Sequence, residues 1–243
     1  MVKGLISIPS LMNMYDTSEM FSWYYVDPII AQKHVPPKWK VKVNKNGMAS
    51  LYLLVQKCDK MVLNKILNVG SVGMSHIWIE LEGPLEVVTP FKGTTRSLPT
   101  WYWYILPHQL ENKLATLMFN IAGIAAQSIQ EVSLGGKPGS IRYGKIIEED
   151  SPEIGYTWNE KSQLYSKPDI VTGSHRIYRK YGLRESEAHV KCLTHFIGEG
   201  NVNLTASPDS AIGKLGFGTT LNGFCNTVLV KHCQVKYRVS FFN

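Results

Sequence analysis

Residues 74–82, MSHIWIELE, alternate with a period of two. His76, Trp78, Glu80 and Glu82 share one face, and Ile77, Ile79 and Leu81 share the other. Successive side chains of a strand point to opposite sides of its sheet, so this string predicts a strand with one aliphatic face and one mixed aromatic–polar face. The pattern recurs along the chain. ASLYLLVQ at 49–56 is a strand-length apolar run behind the turn signal Asn44-Lys45-Asn46-Gly47. TWYWYI at 100–105, residues 141–147 and HVKCLTHFI at 189–197 read as further strands. So does 226–241, where Val235, Tyr237, Val239 and Phe241 alternate with Gln234, Lys236, Arg238 and Ser240.

Helical periodicity is rare. From Pro107 to Ala126, Leu110, Leu114, Leu117, Met118, Ile121 and Ile124 recur at helical spacing, which predicts one long helix over 107–126 with those residues as its buried stripe. Shorter helical segments are expected at 28–34, after Asp27-Pro28, and near 207–216. GGKPG at 135–139 reads as a loop inside one domain. The class is mainly β (β-rich α+β), a single domain over 1–243 closed as a barrel or double barrel.

Composition removes several function classes. Apolar residues make up 44% of the 243 residues and charged residues 19%, which excludes a disordered chain. The net charge of +7 comes from scattered lysines without a nucleic-acid motif, so no nucleic-acid partner is expected; a positive field suits an anionic small molecule. No run of about 18 apolar residues predicts a membrane helix, and no secretory leader is read at the start of the chain. Cys58, Cys192, Cys225 and Cys233 form no Cys-x-x-Cys pair, so four free thiols in a reducing, cytoplasmic setting are expected, with no metal. No cofactor is expected, since nucleotide-binding, P-loop, nucleophile-elbow and zincin motifs are all missing.

The C-terminal third runs Gly200-Asn201-Val202-Asn203-Leu204, Pro208-Asp209-Ser210, Leu215-Gly216 and Gly223, and closes on strands around Val228–Val230 and Val235–Tyr237. With Val26-Asp27-Pro28 through Val35-Pro36-Pro37 and the strand at Leu51–Gln56, this order resembles the acetoacetate decarboxylase-like family over most of the chain. The resemblance implies a double β-barrel or cone around a hydrophobic cavity, with the 107–126 helix as an insertion. It implies a carbonyl-containing small-molecule substrate and a homo-oligomer. It also implies a lysine that forms a Schiff base; an amine attacks only when neutral, so its pKa must be lowered by burial or a neighbouring cation.

Matched residue by residue, Lys137 takes the Schiff-base position with Glu131 as its partner, and Lys145 is the second lysine in range. The sequence departs from the family at its lysine pair, at the arginine beside the glutamate, at the early arginine and at the early strand glutamate, which is apolar or tyrosine here. Pro138 follows Lys137 where the family has a second lysine, Gln130 replaces an arginine, and no arginine precedes Arg96. Tyr52 stands near the early glutamate position.

These departures favour a divergent enzyme performing decarboxylation, aldol or dehydration chemistry, or cyclisation, in specialised metabolism. If no lysine is buried, His76 and Glu80 become the acid/base candidates. They lie ~13 Å apart along a strand, too far to hydrogen-bond but able to line one cavity. Tyr52, Trp78, Arg96, Trp101 and Trp103 are the expected substrate-binding residues, with Arg96 as a carboxylate or enolate clamp. His189 and His195 lie too far apart on their strand to chelate one metal. The alternative is a non-enzymatic barrel that binds an apolar small molecule.

Overall fold

A computed structural model of the chain describes residues 8–83, 96–121, 125–136, 141–148, 151–178 and 185–240. Ten strands carry the fold. They are β1 (Ile8–Val26), β2 (Ala49–Leu63), β3 (Leu67–Glu80), β4 (Arg96–Ile105), β5 (His108–Leu110), β6 (Ala126–Gly135), β7 (Ile141–Glu148), β8 (Ser151–Tyr178), β9 (Glu185–Ala206) and β10 (Thr220–Ser240). The helices are α1 (Pro28–His34) and α2 (Lys113–Ile121), with a short 3-10 turn at Gly213–Leu215.

The sheet order is β2-β1-β10-β9-β8-β4-β3-β5-β6-β7, with further pairings β2–β3 and β8–β7. These pairings close two circuits. A nine-strand ring runs β1-β10-β9-β8-β7-β6-β5-β3-β2, and β4 bridges β8 to β3 to make a second, seven-strand ring. The bridge is parallel to β8 and antiparallel to β3. The mainly β, double-ring class expected from sequence is the architecture found, and each predicted strand coincides with an observed one, although β3 ends at Glu80, two residues short of the expected 82, and residue 241 lies outside the described residues.

Closure leaves two buried clusters on opposite faces of β1–β3. One is largely aliphatic and includes Met20, Leu51, Leu53, Val55, Ile77, Ile79, Val132, Ile146 and Leu204. The other is rich in methionine and aromatic rings and includes Met12, Met14, Met61, Met74, Trp78, Trp103, Leu110 and Phe119. Along β1 the assignment to a face changes parity. Met12 and Met14 belong to the second cluster, and so does Phe21. The change falls at Asp16, whose φ is +47° and which is skipped in the pairing with both β2 and β10 while the register on either side of it is kept.

The local signals near β2 behave as expected. Asp27 caps α1, its carboxylate accepting from Ile29 N at 2.7 Å, with Pro28 in the first turn. Gly47 takes φ +76° in the turn closed by Asn44, and Val43 bridges Ala49 across it.

The long helix does not form over 107–126. His108–Leu110 is instead a strand, antiparallel to β3 and parallel to β6. Asn112 then starts the helix, its side-chain oxygen accepting from Ala115 N at 3.0 Å. Asn120 exchanges two 3.0 Å hydrogen bonds with the backbone of Ala126, where β6 begins. Sheet pairing overrides helical periodicity at both ends. The expected stripe is also misplaced. Ala115, Thr116 and Phe119 are buried, whereas Leu117 is 55% and Ile121 64% exposed.

Cysteine chemistry needs a second correction. Cys58 and Cys225 are free thiols, but Cys233 is disulfide-bonded, and the register sets Cys192 directly across from it. Four free thiols are therefore not what the fold holds, and the thiol argument for a reducing compartment falls with them. Among the described residues no helix is long and apolar enough to cross a membrane.

Candidate functional site

The even-numbered face of β3 carries Met74, His76, Trp78 and Glu80, as the alternation predicts, and the β-sheet pairing gathers aromatic neighbours around it. Leu54 stands opposite His76, and Tyr52 opposite Trp78. From β1, Phe21 and Trp23 occupy the same two rows. From β4, Ile105 pairs with Trp78 and Trp103 with Glu80. Ring contacts tie these residues together. Tyr52 meets Trp103 edge-on at 4.5 Å, Phe21 stacks on Tyr52 at 5.2 Å, Trp78 and Trp103 lie 5.4 Å apart, and Trp101 stacks on Trp103 at 6.4 Å.

Two histidines lie within this aromatic wall. His76 is 4% and His108 1% exposed, and their rings meet edge-to-face with centroids 4.2 Å apart. His76 also contacts Trp78 and His108 contacts Phe119, both edge-on. His108 was not legible as a site residue, because helical spacing claimed residue 108 for the first turn of a helix. The signal that marks it is its place in a three-residue strand between β3 and β6.

Glu80 is held at the end of the same face. Lys42 Nζ donates to Oε1 at 2.7 Å, and the Tyr52 hydroxyl donates to Oε2 at 3.2 Å. Burial first, and the Glu80 charge second, push the Tyr52 hydroxyl well above its ordinary range, so it remains a donor across physiological pH. His76, Glu80, Tyr52, Trp78, Trp101 and Trp103, named from the sequence as separate candidates, thus share one wall.

The two faces of these strands differ in access. On β1, Glu19, Phe21 and Trp23 keep partial access to a water-sized sphere, while Met20, Ser22 and Tyr24 between them are sealed. On β2, Tyr52 and Leu54 keep access while Leu51, Leu53 and Val55 are sealed. Glu19 was not anticipated. Its Oε1 accepts from Gln56 Nε2 at 2.6 Å, and burial pushes its carboxyl up to about 7, against the hydrogen bond from Gln56.

The lysine constellation fares differently. Lys137 lies outside the described residues, as does the Arg96 side chain; the Arg96 backbone opens β4. His189 and His195 fall in β9, with their side chains outside the described residues. Glu131 lies in β6, and its partner is Lys145 of β7 at 3.6 Å, with both side chains well exposed. Among the described residues no lysine is buried. Lys57 is tied down by several groups: its ammonium spans both oxygens of Glu111 at 3.1 and 3.0 Å and reaches Val132 O at 3.2 Å. Glu111 also accepts from the backbone amides of Gly73 and Val132. That cradle ties β2, β3 and β6 together on the aliphatic side. Among the described residues no group of three or more His, Cys, Asp or Glu forms a metal cluster.

No family model and no curated protein matches the sequence. Solved structures do match in fold. An acetoacetate decarboxylase-like enzyme from Sphingomonas wittichii RW1 superposes with a TM-score of 0.59 at 9% identity, over 97% of this chain and 92% of that one. The enduracididine biosynthesis enzyme MppR complexed with pyruvate gives 0.56 at 13%, over 96% and 88%. Acetoacetate decarboxylase gives 0.54 at 12%, over 91% and 87%. The chain has the acetoacetate decarboxylase-like fold, as its sequence resemblance led one to expect.

Proposed function

We propose that the chain is a divergent acetoacetate decarboxylase-like enzyme that works on a small carbonyl compound held against the aromatic wall. The proton chemistry falls to the His76–His108 pair and not to a lysine. The observation that carries this reading is the pair itself, two buried imidazoles in contact on the aromatic face. The fold's solved relatives include MppR complexed with pyruvate, which supports a carbonyl substrate.

The residue chemistry fits. Decarboxylation, aldol and dehydration reactions share one step, in which a bond to the carbon beside a carbonyl breaks and its electron pair moves toward the carbonyl oxygen. A neutral imidazole takes or returns the proton at that carbon. Two imidazolium charges 4.2 Å apart would repel, which favours a neutral ring as the base. Trp78, Trp103 and Phe119 exclude water around it and strengthen every charge interaction there. Tyr52, anchored by Glu80, presents a neutral hydroxyl at the edge of the wall.

The test is turnover of pyruvate, acetoacetate and imidazole-4-carboxaldehyde, singly and in pairs, by His76→Gln and His108→Gln enzyme, with borohydride added in parallel and adducts mapped by mass. Turnover should fall about 100-fold or more in His76→Gln, in the range general acid–base catalysis supplies. No lysine adduct should form. A substrate-dependent adduct on Lys137 or Lys145, with turnover surviving His76→Gln, overturns this reading in favour of a Schiff base. Saturable binding without turnover makes the barrel a binding protein.

A further inference from the structure

A carbon–carbon or carbon–hydrogen bond breaking beside a carbonyl leaves negative charge on oxygen, and the histidine pair provides only the proton at carbon. Glu19 lies on the same face. In register, Glu19 pairs with Gln56 and Gln56 with Met74; the next row along is Phe21, Leu54 and His76. Rows of one face are ~7 Å apart along the strands. Glu19 therefore shares the histidines' face, two strands and one row from His76, ~12 Å away at the backbone.

The groups that face Glu19 among the described residues are Thr17 from β1, Gln56 and Cys58 from β2, and His76 from β3 one row on; across β10, Val228 is its paired residue. Lys57 pairs with Ser18 and belongs to the opposite face. The buried Cys58 thiol is pushed up to about 11, chiefly by burial, with the Glu19 charge among the smaller causes. No cation among the described residues compensates a charge on Glu19. Its Oε1 is taken by Gln56, and Oε2 has no partner among the described residues.

We propose that Glu19 is the hydrogen-bond donor for the anionic oxygen of the ligand, a carboxylate or an enolate, through the proton on its Oε2, with Gln56 fixing the other oxygen. The proposal deepens the carbonyl-enzyme reading and rests on it. A neutral carboxylic acid accepts an anion without like-charge repulsion, and its proton sits where a carbonyl oxygen gains charge. Gln56 sets the direction of the carboxyl, because its amide has one geometry in which it can donate to Oε1. Once ionised, Glu19 repels the same ligand. Its raised titration supports this role, since at neutral pH much of the protein still carries the proton.

The experiment measures pyruvate and acetoacetate dissociation constants from pH 5.5 to 8.5 on wild-type and Glu19→Gln protein, with acetone as the neutral control. It also follows the wild-type-minus-variant carboxyl band by infrared titration without ligand. Wild-type affinity for the two anions should weaken toward tenfold per pH unit above 7. Glu19→Gln should bind them with no such slope, and acetone should show none in either protein. Equal anion slopes in wild type and Glu19→Gln, or no saturable anion binding at pH 6, overturn the proposal. So does a carboxyl band that disappears near pH 4.5.

Gln56→Leu provides a second handle if Glu19→Gln fails to fold. Loss of the amide donor should move the carboxyl midpoint above 7, and an unmoved midpoint counts against the pairing. An equal pH slope for acetone assigns the effect to the protein and not to an anionic oxygen, and also overturns the proposal. If His76→Gln leaves turnover untouched while the infrared midpoint and the anion slope hold, the assignment of the proton chemistry to the histidines fails and the Glu19 anion site stands.

Discussion

The two faces of β1–β3 are built from the same strands and yet use polar groups in opposite ways. On the aliphatic face the polar groups around β5 are tied down. Ser75 donates to Gln109 at 2.9 Å, Gln109 donates to Glu148 at 2.6 Å, and Glu148 also takes the Ala211 amide. Glu111 takes two amides and a lysine. On the aromatic face, His76 and His108 sit among rings, and Glu19 is held by Gln56. Satisfied networks fix a fold, while a titratable group held in a dry wall with access to it is positioned to act on something else.

Core truncation sharpens the contrast most. Leu51 and Leu54 are near neighbours on β2, facing opposite ways. Leu51→Ala empties a sealed site and should cost about 2–5 kcal/mol. Leu54→Ala trims a residue that already keeps access, and should cost less than half of that. Urea unfolding of both variants checks the ratio; equal losses would mean that the aromatic face is as tightly packed as the other.

The same contrast explains what could be read from the sequence. The β3 alternation was legible because Ile77, Ile79 and Leu81 fill one core while His76, Trp78 and Glu80 line another, so the two faces differ in residue type. The strand β1 was not legible. Parity switches at Asp16, whose φ is +47°, so Met12 and Met14 share a face with Thr17, Glu19 and Phe21, and a simple period of two misreads the string. Glu19 was lost for that reason. His108 was lost because Leu110, Leu114, Leu117 and Ile121 imitate a helix stripe; in the fold Leu110 is a core strand residue, and the other three lie on the exposed side of α2. The disulfide at Cys233 depends on strand register that spacing alone does not reveal.

Proton linkage offers the next test. Glu19 has an ordinary value of 4.5 and a folded value of about 7, so the folded chain binds the proton more tightly than the unfolded one. Its contribution is fully present below pH 4.5 and is lost as pH rises through 7. A shift of that size corresponds to ~3 kcal/mol at most, and the partial access of the carboxyl reduces it to about 1–2 kcal/mol. Urea midpoints at pH 5 and pH 8 should therefore drop in wild type and stay closer together in Glu19→Gln. The same drop in both proteins would place the titration elsewhere.

The aliphatic face can be probed at its polar end. A Cβ at Gly73 would stand 2.5 Å from Glu111 Oε2, inside the cradle that Lys57 and two amides complete. Gly73→Ala should dislodge the carboxylate and cost about 1–3 kcal/mol through the amides it leaves unpaired. Turnover should be hardly changed in the folded fraction. A selective loss of turnover at full stability would show that the cradle, and with it the aliphatic face, contributes to the chemistry.

The smallest expected effect is also the most diagnostic. Lys145 and Glu131 meet at 3.6 Å with side chains 38% and 43% exposed, on the paired strands β6 and β7. Water screens such a pair, and holding two long side chains together costs entropy, so Lys145→Ala should change stability by less than about 0.5 kcal/mol. An exposed ammonium also lacks the desolvation that would make it a neutral nucleophile near pH 7. Turnover should accordingly be within about twofold of wild type. A loss of 100-fold at unchanged stability would move the chemistry from the buried histidines to an exposed lysine, and the division of labour between the faces would no longer hold.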